Sequence, residues 1–256
     1  MPAPENKFKK LLLSGEKLIG CWAGLADPYA TEILGTAGFD WLVIDNEHAP
    51  NDLRSTMAQL QALQGSDSHP VVRLPMGEAW AIKQMLDAGA QNLLIPMVDT
   101  AEQAQELVRA TRYPPEGIRG SGAALGRASR FSAIPDYTVT ANEQICLTVQ
   151  IESRTALQNL DEICAVDGVD AAFIGPSDLA ADMGFTGAKR NDEVQDAIKD
   201  ALARINASGK AAGILATDHE TTLRYRDWGA TMLAVGIDVT LFASAARALA
   251  ARYRID

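Results

Sequence analysis

The sequence predicts an α/β fold: a (β/α)8 TIM barrel spanning residues 1–256 as a single domain, with an extra helix before the first strand. Three observations point there. Eight short apolar runs alternate with segments of helical periodicity along the chain. Several of those runs are apolar at nearly every position, as in Leu-Val-Ile at 42–44, Leu-Leu-Ile at 93–95 and Ala-Phe-Ile at 172–174, which is the pattern of parallel strands buried on both faces. The length of 256 residues is also ordinary for one such barrel. A doubly wound open sheet is the structural alternative, but it usually uses fewer strands and a crevice at a switch point.

The elements follow in order. Asn6–Ser14 is the extra helix. Leu18–Trp22 is strand one, and Pro28–Thr36 the helix after it. Trp41–Asp45 is strand two, followed by a helix over Asp52–Leu63 with Asn51 placed to cap it. Val71–Leu74 and Ala79–Asp87 form the third unit, and Asn92–Met97 and Ala101–Thr111 the fourth. Strand five is Ile145–Ile151, with a helix over Thr155–Val166. Strand six is Ala171–Ile174, and Asp192–Ser208 is the next helix. Ala212–Leu215 with Glu220–Trp228, then Met232–Val235 with Leu241–Arg252, complete the eight. Between the fourth helix and strand five, Tyr113 to Glu143 is too long for a plain loop. It carries Pro114-Pro115, four glycines, Arg127 and Arg130. Long ordered loops in compact domains are usually functional or lie at an interface. This one starts at the bottom of the barrel, so it must travel to reach any chemistry.

Apolar residues make up 47% and charged residues 22%, the balance of a soluble globular protein, and the formal charge of −10 argues against a basic nucleic-acid-binding surface. No apolar run is long enough to span a bilayer, and the polar, basic start of the chain is unlike a secretory signal. Cys21, Cys146 and Cys164 are far apart without zinc-type spacing, so they are expected to be buried free thiols in a reducing cytoplasm.

Barrels of this kind place reacting groups where strands end. Strand one offers Trp22 there. Strand two ends in Asp45-Asn46-Glu47-His48, strand three carries Arg73, and strand five ends in Gln150-Ile151-Glu152. Strand six ends in Gly175-Pro176-Ser177-Asp178, strand seven in Leu215, and strand eight in Gly236-Ile237-Asp238. Glu152 and Asp178 end consecutive strands. Two carboxylates with room for substrate and water suit a hard divalent cation, Mg2+, Mn2+ or Co2+. The competing reading is a pair of solvated acids. Gly175 to Asp178 forms a turn in which the amides of Ser177 and Asp178, Pro176 having none, could hold a carboxylate. A simple strand-to-helix turn explains the same residues. His48 is the candidate general base, oriented by Asp45 or another acid; a capping histidine is the alternative. His69 should face the opposite end, and His219 begins a helix. Arg73, inside an apolar strand, needs anionic partners, and could stabilise an enolate oxygen or sit in a structural ion pair. No lysine lies at the C-terminal end of a strand, so a Schiff-base mechanism has no candidate, and a metal is the natural substitute.

Ile44-Asp45-Asn46-Glu47-His48-Ala49-Pro50, Val71-Val72-Arg73, Leu94-Ile95-Pro96-Met97, Gly117-Ile118-Arg119-Gly120, Gln150-Ile151-Glu152 and Phe173-Ile174-Gly175-Pro176-Ser177-Asp178-Leu179 together resemble the HpcH/HpaI aldolase family, in order, from about Leu11 to the C-terminus. They look most like the branch that cleaves 4-hydroxy-2-oxoheptane-1,7-dioate in aromatic catabolism. The resemblance implies a class II pyruvate aldolase acting on a keto acid and an aldehyde. It implies that Glu152 and Asp178 hold the metal, that Arg73 contacts the keto oxygen, and that His48 is linked to the base. The acid paired with His48 would match Asp87 rather than Asp45, and both are kept. Trp22, Gln150, Gly175, Pro176, Ser177 and Leu215 are expected around the substrate, with Arg127 or Arg119 reading a distal carboxylate from the long loop or from a neighbouring subunit. The family's hexamers, in which the last helix exchanges between subunits, would suit Leu241–Leu249. Rival activities are cleavage of malyl- or citramalyl-CoA esters, which needs basic residues for the CoA phosphates, and a 2-keto-3-deoxy sugar acid aldolase. A non-catalytic barrel that binds a keto acid, or serves as an assembly scaffold, is the reading from another class.

Overall fold

All eight apolar runs become strands, and the strands close into one barrel. In the computed structural model, which describes residues 1–254, β1 Leu18–Ala23, β2 Trp41–Asp45, β3 His69–Arg73, β4 Asn92–Ile95, β5 Cys146–Ile151, β6 Ala171–Ile174, β7 Ala211–Leu215 and β8 Met232–Ile237 pair in sequence order, with β8 returning to β1. Every pairing is parallel. The last two residues of the predicted domain lie outside the described ones. Among the described residues no helix is long and apolar enough to cross a membrane.

The helices are α1 Lys7–Leu13, α2 Pro28–Gly35, α3 Leu53–Ala62, α4 Ala79–Asp87, α5 Ala101–Thr111, α6 Tyr137–Thr140, α7 Arg154–Gln158, α8 Leu160–Ala165, α9 Pro176–Asp182, α10 Asp192–Ala207, α11 His219–Asp227 and α12 Asp238–Tyr253. Three local expectations are corrected. The cap of α3 is Asp52, in a reciprocal box with Ser55, while Asn51 instead donates to the Asp45 carbonyl. The helix predicted over Thr155–Val166 is broken at Asn159, whose amide donates to the Asp99 carbonyl. The turn at Gly175–Asp178 is the start of a helix, α9, with Pro176 in its first turn.

Strand periodicity decides what faces the lumen. Side chains alternate faces, so Trp41, Val43 and Asp45 share one side of β2, and His69, Val71 and Arg73 one side of β3. The lower lumen is filled by Trp41, Val43, Val71, Leu94, Phe173, Met232 and Ala234, and α1 plugs it from below with Phe8 and Leu12. Burying each of those two plug side chains is worth about 1.5–3 kcal/mol. Large rings face missing side chains: a Cβ on Gly20 would lie 2.3 Å from the Trp41 ring, and one on Gly213 2.3 Å from Phe173. The outer layer of Leu, Ile, Val and Ala packs strands against helices. The three cysteines are free and buried, as expected.

The excursion from Tyr113 to Glu143 packs beside α3 and α4, not in the cavity at the strand ends. It packs its own small core of Tyr113, Ile134, Tyr137 and Ala141 with Ala3. α12 behaves differently from the other helices. Asp238 is its one buried residue among those described, while Leu241, Phe242, Leu249 and Tyr253 are exposed.

Candidate active site

A cavity of about 460 Å³ opens at the C-terminal ends of the strands. Trp22, Asp45, His48, Arg73, Gln150, Glu152, Gly175, Pro176, Ser177, Asp178 and Leu215 all line it, as the sequence places them. Same-face periodicity brings them together: Asp45 and Arg73 are direct cross-strand neighbours, and Gln150 is level with Phe173.

Arg73 is nearly fully buried and is held on two sides. Its Nε and Nη2 donate to Asp45 Oδ1 and Oδ2 at 2.9 and 2.7 Å, a bidentate pair. Its Nη1 lies 2.9 Å from Glu47 Oε2. The indole of Trp22 forms a floor, 5.2 Å from the guanidinium carbon. Burial would raise the Asp45 carboxyl, but the Arg73 hydrogen bond and charge, with the N–H groups of Glu47 and His48, outweigh it and hold Asp45 below the usual range. Asp45 is therefore committed to Arg73 and to the backbone, and it does not orient the His48 ring.

The acid side is the reverse. Burial, against the Met97 N–H and with the charges of Asp178 and Glu47 adding to it, pushes the Glu152 carboxyl up to about 7. Gln150 Nε2 donates to Glu152 Oε1 at 2.7 Å, and the Met97 N–H donates to Oε2 at 3.0 Å. Met97 holds that amide in place with φ of 55°, rare for a residue with a side chain. A Cβ on Gly175 would sit 2.3 Å from Glu152 Oε1, so glycine is what lets the carboxylate lie there. Carboxylates gathered under burial, with a single guanidinium among the described lining residues, form a field that favours a cation.

That chemistry fits a hard divalent ion. The donors are oxygens from Glu152 and Asp178, with the buried Gln150 Oε1, which has no hydrogen-bond partner, close by. Among the described residues no group of three or more acids, histidines or cysteines forms a closed ligand set, so most of the coordination shell would be left to substrate and water. Ser177 and Asp178 fall in the first turn of α9, where N–H groups lack intrahelical partners.

His48 stands at the rim with its side chain 66% exposed, and its Nε2 is 3.8 Å from Glu47 Oε2. Two of the expected site residues lie away from this cavity within a single chain. Asp87 ends α4, and barrel helices run opposite to the strands, so it lies at the far end, paired with Arg119 at 2.9 Å. Arg127 is also at the bottom, donating to the Ala88 carbonyl at 3.1 Å. Arg119 is buried between Tyr113 and Tyr137, 4.4 and 5.8 Å from their ring centroids, and cannot read a substrate here. His69 faces Phe8 at the lower end. The sequence reading gave no role to Glu47, Met97, Val239 or Thr240. Glu47 carried a signal, being one residue before His48. Met97 acts through its backbone, which no side-chain pattern reveals. Asp238 accepts from the N–H groups of Gly24 and Leu25 at 2.8 and 3.1 Å, which ties the loop after β1 to the start of α12 and brings Val239 and Thr240 to the rim.

Comparison with known proteins shows the family. The family model for HpcH/HpaI aldolase/citrate lyase matches residues 18–245. The chain is 67% identical over 256 residues to a hydroxypyruvate/pyruvate aldolase of Roseovarius nubinhibens, covering 100% of both chains. It is 54% identical over 249 residues to a 4-hydroxy-2-oxo-heptane-1,7-dioate aldolase of Escherichia coli, covering 97% of this chain and 95% of the other. Among solved structures it is similar to an HpcH/HpaI aldolase/citrate lyase family protein from Burkholderia cenocepacia, with 40% identity, a TM-score of 0.94, and coverage of 98% and 100%.

Proposed function

The chain belongs to the HpcH/HpaI aldolase/citrate lyase family, and from that premise we propose that it is a divalent-metal-dependent aldolase that cleaves 4-hydroxy-2-keto acids to a pyruvate-type keto acid and an aldehyde. The observation that carries the proposal is the division of one pocket into two halves: an acid half, Glu152 with Asp178, and a cation half, Arg73 clamped by Asp45.

Glu152 and Asp178 would hold the metal, which supplies Lewis-acid stabilisation of enolate charge when bound. The N–H groups of Ser177 and Asp178 receive the substrate carboxylate. Asp45 occupies Arg73 Nε and one Nη2 proton, which leaves guanidinium protons to donate to the keto oxygen as it becomes an enolate oxygen. His48 takes the proton from the C4 hydroxyl; the C3–C4 bond breaks, the aldehyde leaves, and its electron pair remains on the enolate. Protonation at C3 then gives the keto acid. Trp22, Phe173 and Leu215 form the apolar wall that excludes water from the enolate.

The exposed apolar residues of α12 support a homo-oligomer, a hexamer by the family resemblance, in which this helix packs on a second copy. Asp87 and Arg127 can reach a reacting centre only from such a neighbour. The cleavage of CoA esters is disfavoured, because Arg73 is the one guanidinium or lysine among the described lining residues.

The relatives' names leave two nucleophiles and several aldehydes to separate. A panel pairing pyruvate or hydroxypyruvate with succinic semialdehyde, tartronate semialdehyde and lactaldehyde, with a malyl-CoA control, tests the proposal. Carbon–carbon bond formation with the keto acids and no thioester turnover is expected. Turnover of the CoA ester alone would overturn it.

A further inference from the structure

We infer that Glu47 is a positioning residue for this reaction: its carboxylate holds the free Nη1 end of Arg73 and ties it to His48. The inference rests on the aldolase reading above and adds a residue to it.

Asp45 fixes the plane of the guanidinium through Nε and Nη2 but leaves Nη1 without a partner. Glu47 Oε2 supplies one at 2.9 Å. The contact is ionic rather than a directed hydrogen bond, since Oε2 is buried and makes none. The same oxygen is 3.8 Å from His48 Nε2, so one carboxylate spans the cation and the base. The chain is folded to deliver it. Asp45 Oδ1, which already clamps Arg73, accepts the Glu47 N–H at 2.9 Å and the His48 N–H at 3.3 Å. Asn51 closes the loop by donating to the Asp45 carbonyl at 2.7 Å. Clamping Arg73 and returning Glu47 to it are thus one structural event.

The acid half shows why this matters. The Arg73 charge already reaches Glu152. With Nη1 released, an Arg73–Glu152 pair would compete with metal binding and move the cation off the keto oxygen. Burying a second carboxylate beside Asp45 is costly unless it performs such a task.

The test is Glu47→Gln, close in shape but uncharged. Three quantities are measured on the metal-loaded full chain or, for binding, on metal-free chain titrated with Mn2+: exchange of pyruvate methyl protons in D2O by NMR, kcat and KM for retro-aldol cleavage, and Mn2+ affinity by calorimetry without substrate. Expected are losses of about tenfold or more in exchange and in kcat with KM nearly unchanged, because an interaction of the transition state is lost. Mn2+ affinity falls severalfold. In an Arg73→Lys background the same substitution should add less than about twofold, where an independent structural defect would multiply. Should glutamine prevent folding, Glu47→Asp withdraws the charge by one methylene and is read by the same criteria. Wild-type exchange, kcat and Mn2+ affinity in the folded variant would overturn the inference. Wild-type protein that exchanges no pyruvate protons overturns the aldolase reading instead, and Mn2+ affinity then still decides the role of Glu47.

Discussion

Replacing Glu152 with glutamine tests the acid half of the site without any substrate. The folded carboxyl is pushed up to about 7 from an ordinary 4.5, chiefly by burial. Each unit is worth about 1.4 kcal/mol, so keeping Glu152 ionised costs the metal-free fold about 3 kcal/mol. The sign follows from linkage. Below pH 4.5 the group is protonated in both states and costs nothing. As pH rises toward 7 the unfolded chain ionises first, so folding stability falls, and above 7 the loss is complete. Glutamine cannot ionise. It can accept from the Met97 N–H and, once the Gln150 amide turns over, donate to the buried Gln150 Oε1 that has no partner. Urea unfolding of chelator-treated protein, followed by tryptophan fluorescence at pH 5 and pH 8, measures the difference. The variant should gain about 2–3 kcal/mol on wild type between those pH values, and saturating Mg2+ should stabilise only the wild type. Parallel pH dependences in the two proteins would refute the reasoning.

Other changes are expected to act through single contacts. Mg2+ affinity should fall about tenfold per pH unit below 7, as protons compete for Glu152; calorimetry at pH 5.5, 6.5 and 7.5 measures it, and a flat profile would count against Glu152 as ligand. Gly175→Ala places a methyl 2.3 Å from Glu152 Oε1, and should cut metal affinity more than tenfold while leaving the far-ultraviolet spectrum unchanged. Arg73→Lys loses the bidentate hold on Asp45 and should lower kcat by about a hundredfold with a smaller change in KM, read from steady-state kinetics. Phe242→Asp puts charge on the exposed face of α12, and should shift sedimentation velocity toward smaller species; an unchanged assembly would show that this face is not an interface.

Most of the barrel was readable because parallel strands under helices must be continuously apolar. The eight runs at Leu18, Trp41, Val71, Asn92, Ile145, Ala171, Ala212 and Met232 all became strands within two residues at their starts. Lumen-facing positions were also legible from period two, which is why Asp45, Arg73, Gln150 and Gly175 converge. What failed was information carried by three dimensions rather than by pattern. Nothing local marks Asn159 as the break in its helix, because its partner is the Asp99 carbonyl, 60 residues away. The Asp45 side chain could have turned toward His48 or Arg73; only the cross-strand register decides for Arg73. Asp87 was linked to the site through family resemblance, yet helix direction puts it at the opposite end of its own chain, and Arg127 of the long excursion lies there too, donating to the Ala88 carbonyl.

In the proposed reaction Glu152 and Asp178 hold a divalent metal required for carbon–carbon cleavage. The direct measurement is pyruvate release from 4-hydroxy-2-oxoheptanedioate by protein stripped with chelator, before and after Mg2+, Mn2+ or Co2+ is restored. Loss of activity on stripping and recovery on restoration, with Asp178→Ala failing to recover, is the expected result. Full activity in the metal-free protein would contradict it.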